Sequence, residues 1–174
     1  MTIPQTFQLH IPSKPAPEAV VQSGNARFTV LSERMIRMEY HPEGLFEDRP
    51  SQVFWHREQP VPEFSVQHQG SELILQTAVL KLHYQAGQEF TPETLWIEVT
   101  GKRMRWHFGM EQKDNLLGTT RTLDMANGAV SLEPGLLSRR GWTAVDDSKS
   151  LVFDAQGWLT ERSPGGIDLT YWVY

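Results

Sequence analysis

Apolar residues recur at every second position through most of this chain, in short runs that end at Gly, Asn, Asp or Ser. Successive side chains of a strand point to opposite faces, so a period of two marks a sheet with one apolar face. In ARFTVLSERMIRMEYH, Phe28 and Val30 alternate with polar neighbours. Ile36, Met38 and Tyr40 do the same beyond Ser32, Glu33 and Arg34. That spacing predicts a hairpin. EFSVQHQGSELILQT repeats it, with Phe64 and Val66, a Gln69-Gly70 turn, then Leu73 and Leu75. TAVLKLHYQ follows with Val79, Leu80, Leu82 and Tyr84. LWIEVTGKRMRWHF places Leu95, Ile97 and Val99 before a Gly101-Lys102 turn, and Met104, Trp106 and Phe108 after it. LVFDAQGWLTER turns at Asp154 to Gly157. No stretch of ten residues keeps a helical period with a proper start, and at most a short turn of helix is expected within 41–60. The fold class predicted is all-β, an antiparallel β-sandwich.

A chain of 174 residues can bury one sizeable core. Apolar residues at 39% and charged residues at 21% place it among globular rather than disordered chains. The net charge of −5, with both signs scattered and no dominant basic patch, argues against a nucleic-acid partner. The absence of cysteine excludes disulfides, cysteine-based zinc sites and thiol catalysis. MTIPQTFQLHIPSKPAPEAV lacks the basic region and apolar block of a secretory signal. No run approaches 18 apolar residues, so no spanning helix and no membrane partner is expected, and the expected location is cytoplasmic. Residues 12–17, PSKPAP, read as an extended lead-in. The expected division is a lead-in over 1–24 and a sandwich domain over 25–174.

Chemistry-bearing residues concentrate in LLSRRGWTAVDDSKSLVF, residues 136–153. Arg139 and Arg140 offer rigid forks of donors to hydroxyls or carboxylates, and Trp142 a flat apolar face that suits a sugar ring. The other reading makes Trp142 core and the arginines solvated. Asp146 and Asp147 are adjacent, so in a strand they face opposite ways and do not form an acid–base pair. In a turn, Asp147 and Ser148 bind their own backbone; a contact to sugar or to calcium is the alternative for Asp147. The histidines at 10, 41, 56, 68, 83 and 107 form no zinc-type pair with a nearby carboxylate. No G-x-S-x-G, P-loop or dinucleotide fingerprint occurs.

Taken in order, FTVLSERMIRMEY, FEDRPSQVFWHR, LKLHY, NLLGTTRTLD, LEPGLLSRRGWTAVDDS, LVFDAQGWL and DLTYWVY resemble the N-terminal domain of glycoside hydrolase family 31, which includes α-glucosidases and α-xylosidases. The resemblance runs from about residue 25 to Tyr174, and its most specific pieces are GTTRTLD and GLLSRRGWTAVDDS. It implies a galactose mutarotase-like supersandwich ahead of a (β/α)₈ barrel. In that family the barrel carries an aspartate nucleophile and an aspartate acid/base, and no residue here matches either. The apolar finish DLTYWVY then resembles the strand that leads into the barrel, so the chain is expected to be part of a longer protein. The expected partners are that barrel and, through the parent enzyme, a carbohydrate. The chemistry requires no metal or organic cofactor.

A loop of the family's domain reaches over the barrel mouth. The resemblance makes Arg139, Arg140, Trp142 and Asp147 candidates for the substrate rim, none of them catalytic. Relatives often carry an acidic or small residue where Arg140 stands, which leaves the sugar open. Separation from the barrel predicts exposed apolar surface and self-association. Two other classes stay open. A stand-alone aldose mutarotase would need a histidine and a carboxylate as acid and base, with His83 or His107 available. A non-catalytic carbohydrate-binding module would bind through exposed tryptophans.

Overall fold

A computed structural model describes residues 11–118 and 130–174. A 3-10 turn, Pro17–Ala19, precedes β1 (Val20–Ser23), β2 (Ala26–Ser32) and β3 (Met35–Tyr40). After an irregular stretch come β4 (Ser65–Gln69), β5 (Glu72–Gln76), β6 (Leu80–Gln85), β7 (Leu95–Val99) and β8 (Arg105–His107). The chain finishes with β9 (Trp142–Asp146), β10 (Val152–Phe153), β11 (Leu159–Thr160) and β12 (Ile167–Val173). One five-stranded sheet has the order β1-β2-β3-β12-β9, and a second has the order β4-β5-β6-β7-β8. β10 and β11 form a separate ribbon. Neighbouring strands pair antiparallel in every case given by the register. The molecule is therefore an antiparallel all-β sandwich. No helix among the described residues is long and apolar enough to cross a membrane.

The period-two pattern decides what the two sheets bury. Phe28 lies opposite Met38, and Met38 opposite Leu169; Val30, Ile36 and Tyr171 form the next row. On the other sheet Leu75, Leu82, Ile97 and Trp106 form one row across four strands. These inner faces meet, and most of their side chains are fully buried. Each large apolar side chain removed from water contributes roughly 1.5–3 kcal/mol. Aromatic contacts tie the layers: Phe28 sits 5.1 Å from Tyr84, and Tyr171 sits 5.3 Å from Trp106; within the first sheet Tyr171 also sits 5.9 Å from Trp142. Burial pushes the Tyr84 hydroxyl up to about 12, and that of Tyr171 up as well.

The predicted hairpins form at Ser32–Met35, Gln69–Glu72, Val99–Arg105 and Phe153–Leu159. At the Gln69-Gly70 and Gly101-Lys102 turns the glycine takes a positive φ, +62° and +74°, which side-chain-bearing residues avoid. The first sheet begins at Val20, ahead of residue 25, because β1 pairs with β2 along its whole length. Residues 41–60 hold no helical turn; the 3-10 turn lies at Pro17–Ala19, where proline supplies the required φ. The GTTRTLD segment falls at residues 118–124, and beyond Gly118 it lies outside the described residues.

Candidate functional site

The SRRGW turn enters β9 from a crossing of two irregular segments, 114–118 and 133–139. The Leu116 amide donates to Leu137 O at 2.8 Å, Gly118 to Glu133 O at 2.7 Å and Arg139 to Asp114 O at 2.9 Å. Asn115 clamps the crossing. Its Oδ1 accepts from the Leu117 and Gly135 amides at 2.8 and 2.7 Å, and its Nδ2 donates to Gly135 O at 2.9 Å. Leu117 is held at φ +62°, a left-handed conformation that leucine adopts at a cost. Gly135 is dictated by contact, since a Cβ there would lie 2.3 Å from Leu117 O.

This crossing turns leucines outward. Leu116, Leu117, Leu136 and Leu137 are each about half exposed or more, between 48% and 61%. Arg139 and Asp114 line a groove of 220 Å³ together with Lys113, Asn115, Leu116 and Leu117. Arg140 is exposed and its Nε pairs with Asp114. Tyr174, itself exposed, donates its hydroxyl to Ser138 O at 2.7 Å, and its amide donates to Gly141 O at 3.0 Å. The turn before β9 is thereby pinned to the end of β12.

The four sequence-predicted residues occupy three environments. Arg139 and Arg140 share the exposed turn. Trp142 is 4% exposed and packs against Tyr171 inside the sandwich. Asp147, just past the far end of β9, has no exposed surface. Its Oδ2 accepts from Arg162 Nη2 at 2.6 Å and from Arg57 Nη2 at 3.5 Å. Asp146 is exposed, and its Oδ1 accepts from the Ser148 amide at 2.9 Å, so that turn is closed by Asp146 rather than Asp147.

Asp147 belongs to an ionic cluster on the outer face of the first sheet. The register places Arg27, Glu39 and Asp168 in one row and Thr29, Arg37 and Thr170 in the next. Arg27 forks onto Glu39 at 2.7 and 2.9 Å and reaches Asp48 at 2.8 Å. Arg37 forks onto Asp168 at 2.8 and 2.7 Å and touches Glu39 at 2.9 Å. Arg162 bridges Asp168 at 2.8 Å and Asp147. Glu47 O caps the Arg37 and Arg27 guanidiniums at 2.7 and 3.3 Å. Arg27, Arg37, Arg57 and Arg162 thus balance Glu39, Asp48, Asp147 and Asp168.

The cluster shifts its members in different directions. Burial pushes Asp168 up, yet Arg37, Arg162 and Arg57 prevail and hold it at about 2. Burial wins at Glu39 and Asp147, which are raised despite their arginines. Burial and the like charge of Arg37 bring Arg57 down to about 10. Each of these carboxylates already has a guanidinium partner, so the arrangement serves cohesion rather than proton transfer. Sequence reading missed this cluster and the groove beside Arg139. The alternating Arg27, Arg37 and Glu39 look like solvent-facing positions, and only the cover provided by 45–57 and 147–162 buries them.

His83 lies on the outer face of the second sheet, with Nδ1 2.9 Å from Glu72 Oε1 and its ring stacked on Trp96 at 4.9 Å. His107 is hydrogen-bonded to Phe108 O at 2.9 Å. No group of three or more His, Cys, Asp or Glu among the described residues is placed to hold a metal ion.

No protein-family model matches the chain, and no curated protein matches it. Among solved structures it is similar to a GH31 alpha-xylosidase from Xanthomonas citri, with 14% identity and a TM-score of 0.38. The aligned region covers 83% of this chain and 13% of that enzyme, so the chain spans a small part of its length.

Proposed function

We propose that this sandwich is the accessory domain of a family 31 α-glycosidase. It packs on a (β/α)₈ catalytic barrel and forms part of the rim of the sugar pocket, with Arg139 and Arg140 on the rim; Trp142, buried against Tyr171, anchors the start of β9 behind them, and Asp147, at the other end of β9, holds the ionic cluster. The parent enzyme hydrolyses α-glucosidic or α-xylosidic bonds with retention. The observation that carries this reading is the crossing at 114–118 and 133–139, which sets outward leucines beside two arginines. Four half-exposed leucines at one corner form an apolar contact surface of the kind a second body covers. The ordered sequence segments that resemble the family supply the identity of that body.

Retaining hydrolysis needs two carboxyl groups about 5–5.5 Å apart across a sugar. Asp147 and Asp168, the pair joined by Arg162, are buried and occupied by guanidiniums. In this reading the reacting pair belongs to the barrel. Incubating the purified chain with aryl α-glucosides and α-xylosides tests the reading, and no hydrolysis is expected. Turnover that survives repurification overturns it.

The His83–Glu72 contact favours a second reading, aldose mutarotation by an acid–base pair. Polarimetry on freshly dissolved α-glucose separates the two: accelerated anomer interconversion, lost in His83→Ala, selects the mutarotase. Quenching of tryptophan fluorescence by oligosaccharides in the absence of both activities selects a binding module, with the exposed Trp158 as first suspect.

A further inference from the structure

We propose that the outer face of the second sheet, at the β7–β8 turn, binds a small ligand carrying a phosphate or sulfate group. The register lines up Gln76, Lys81, Glu98 and Arg105 in one row across β5, β6, β7 and β8. The turn adds Lys102 and Arg103, both exposed. These six residues line an open groove of 520 Å³. Four cations therefore surround one carboxylate, in a chain whose net charge is −5.

The charge is uncompensated here, whereas most of the described arginines elsewhere are compensated. Arg27, Arg34, Arg37, Arg49, Arg57 and Arg162 each pair with a carboxylate. Among the described residues, Lys81, Lys102, Arg103 and Arg105 form no ion pair. Arg105 lies directly opposite Glu98 in the ladder, yet its guanidinium sits 4.7 Å over the Trp96 ring. The cross-strand pair that the register sets up is not made. Glu98 instead approaches His83 Nε2 at 3.8 Å. Arg105 is thus held in place by the indole, and its charge is left for a ligand.

A tetrahedral oxyanion fits this arrangement. It presents several acceptor oxygens at once, which suits guanidinium forks and ammonium point charges arriving from different strands. It also relieves the repulsion among the four cations. A nucleic acid fits less well, because Trp96 has His83 stacked on it from β6 and Arg105 over it from β8, so the ring offers no open face to a base.

The test titrates inorganic pyrophosphate into the intact chain against sodium chloride matched for ionic strength. Tryptophan fluorescence and melting temperature are the readouts. A saturable response to pyrophosphate, absent with chloride, is expected. The double variant K102E/R103E should lose the response while melting like the parent without ligand, since both positions are exposed in a turn. Glu98→Gln should tighten binding about fivefold, the effect of removing one unit charge about 4 Å away in water. Inorganic sulfate and a glucose phosphate, run as separate arms, tell a free oxyanion from one carried on a sugar. No response beyond chloride, or a response that K102E/R103E retains, overturns the proposal. So does tighter binding of a short single-stranded oligonucleotide than of any small oxyanion.

Discussion

Arg37 has one fork on Asp168, a contact to Glu39 and a cap from Glu47 O, all beneath a covering loop. Replacing it with Met would leave two buried carboxylates short of a partner, and a loss of about 3–5 kcal/mol in urea unfolding is expected. The pH dependence follows from the same group of charges. Asp168 has its ordinary value of 3.8 in the unfolded chain and about 2 in the folded one. Its contribution, on the order of 2 kcal/mol, is therefore fully present above about pH 4 and is lost between about pH 4 and 2. Glu39 and Asp147 are raised, so their ionisation opposes folding and their protonation on acidification favours it. The melting-temperature gap between the parent and Asp168→Asn should hold steady above pH 5 and narrow below pH 4. A gap that widens below pH 4 would reverse the assigned sign. None of this was visible in the residue pattern. A period of two tells which face of β2 and β3 is apolar, but a covered ionic face and a wet one have the same alternation.

Hairpins were legible because their signals are local: between two alternating runs lies either a glycine able to take positive φ, as at Gly70, Gly101 and Gly157, or the polar Ser32, Glu33 and Arg34. The pairing of β9 with β12 was not, since no local residue announces it and Trp142 meets Val173 only through tertiary register. Trp142 illustrates the limit, as an indole offers the same apolar area to a sugar or to Tyr171, and the fold chose Tyr171. The exposed arginines beside it were legible as a turn, but the groove that Arg139 borders depends on Asn115, twenty residues from Gly135. Asn115→Ala removes three hydrogen bonds at that crossing, and a stability loss of about 1–3 kcal/mol is expected. Limited proteolysis should then cut within 130–139 sooner than in the parent. An unchanged cleavage rate would show that the crossing holds without its clamp.

For the molecule as a whole, the leucines at one corner predict association. Size-exclusion chromatography with light scattering should show a mass that rises with concentration. The double variant L136D/L137D should hold the chain as a monomer without lowering its melting temperature, because both side chains are largely exposed. A parent that stays monomeric at high concentration would remove the apolar contact from the proposed role. The sandwich itself was legible from sequence because two apolar faces of matched period can only bury each other. β12, the last strand of the sandwich in chain order, lies between β3 and β9. Arg37 must wait for Asp168, 131 positions later, before its charge is met. Everything between Arg37 and Asp168 must thus be made before the first sheet can join its halves. Folding should be a late, slow event governed by a long loop closure, and a chain ending at residue 166 should leave β1–β3 and β9 as strands with no middle.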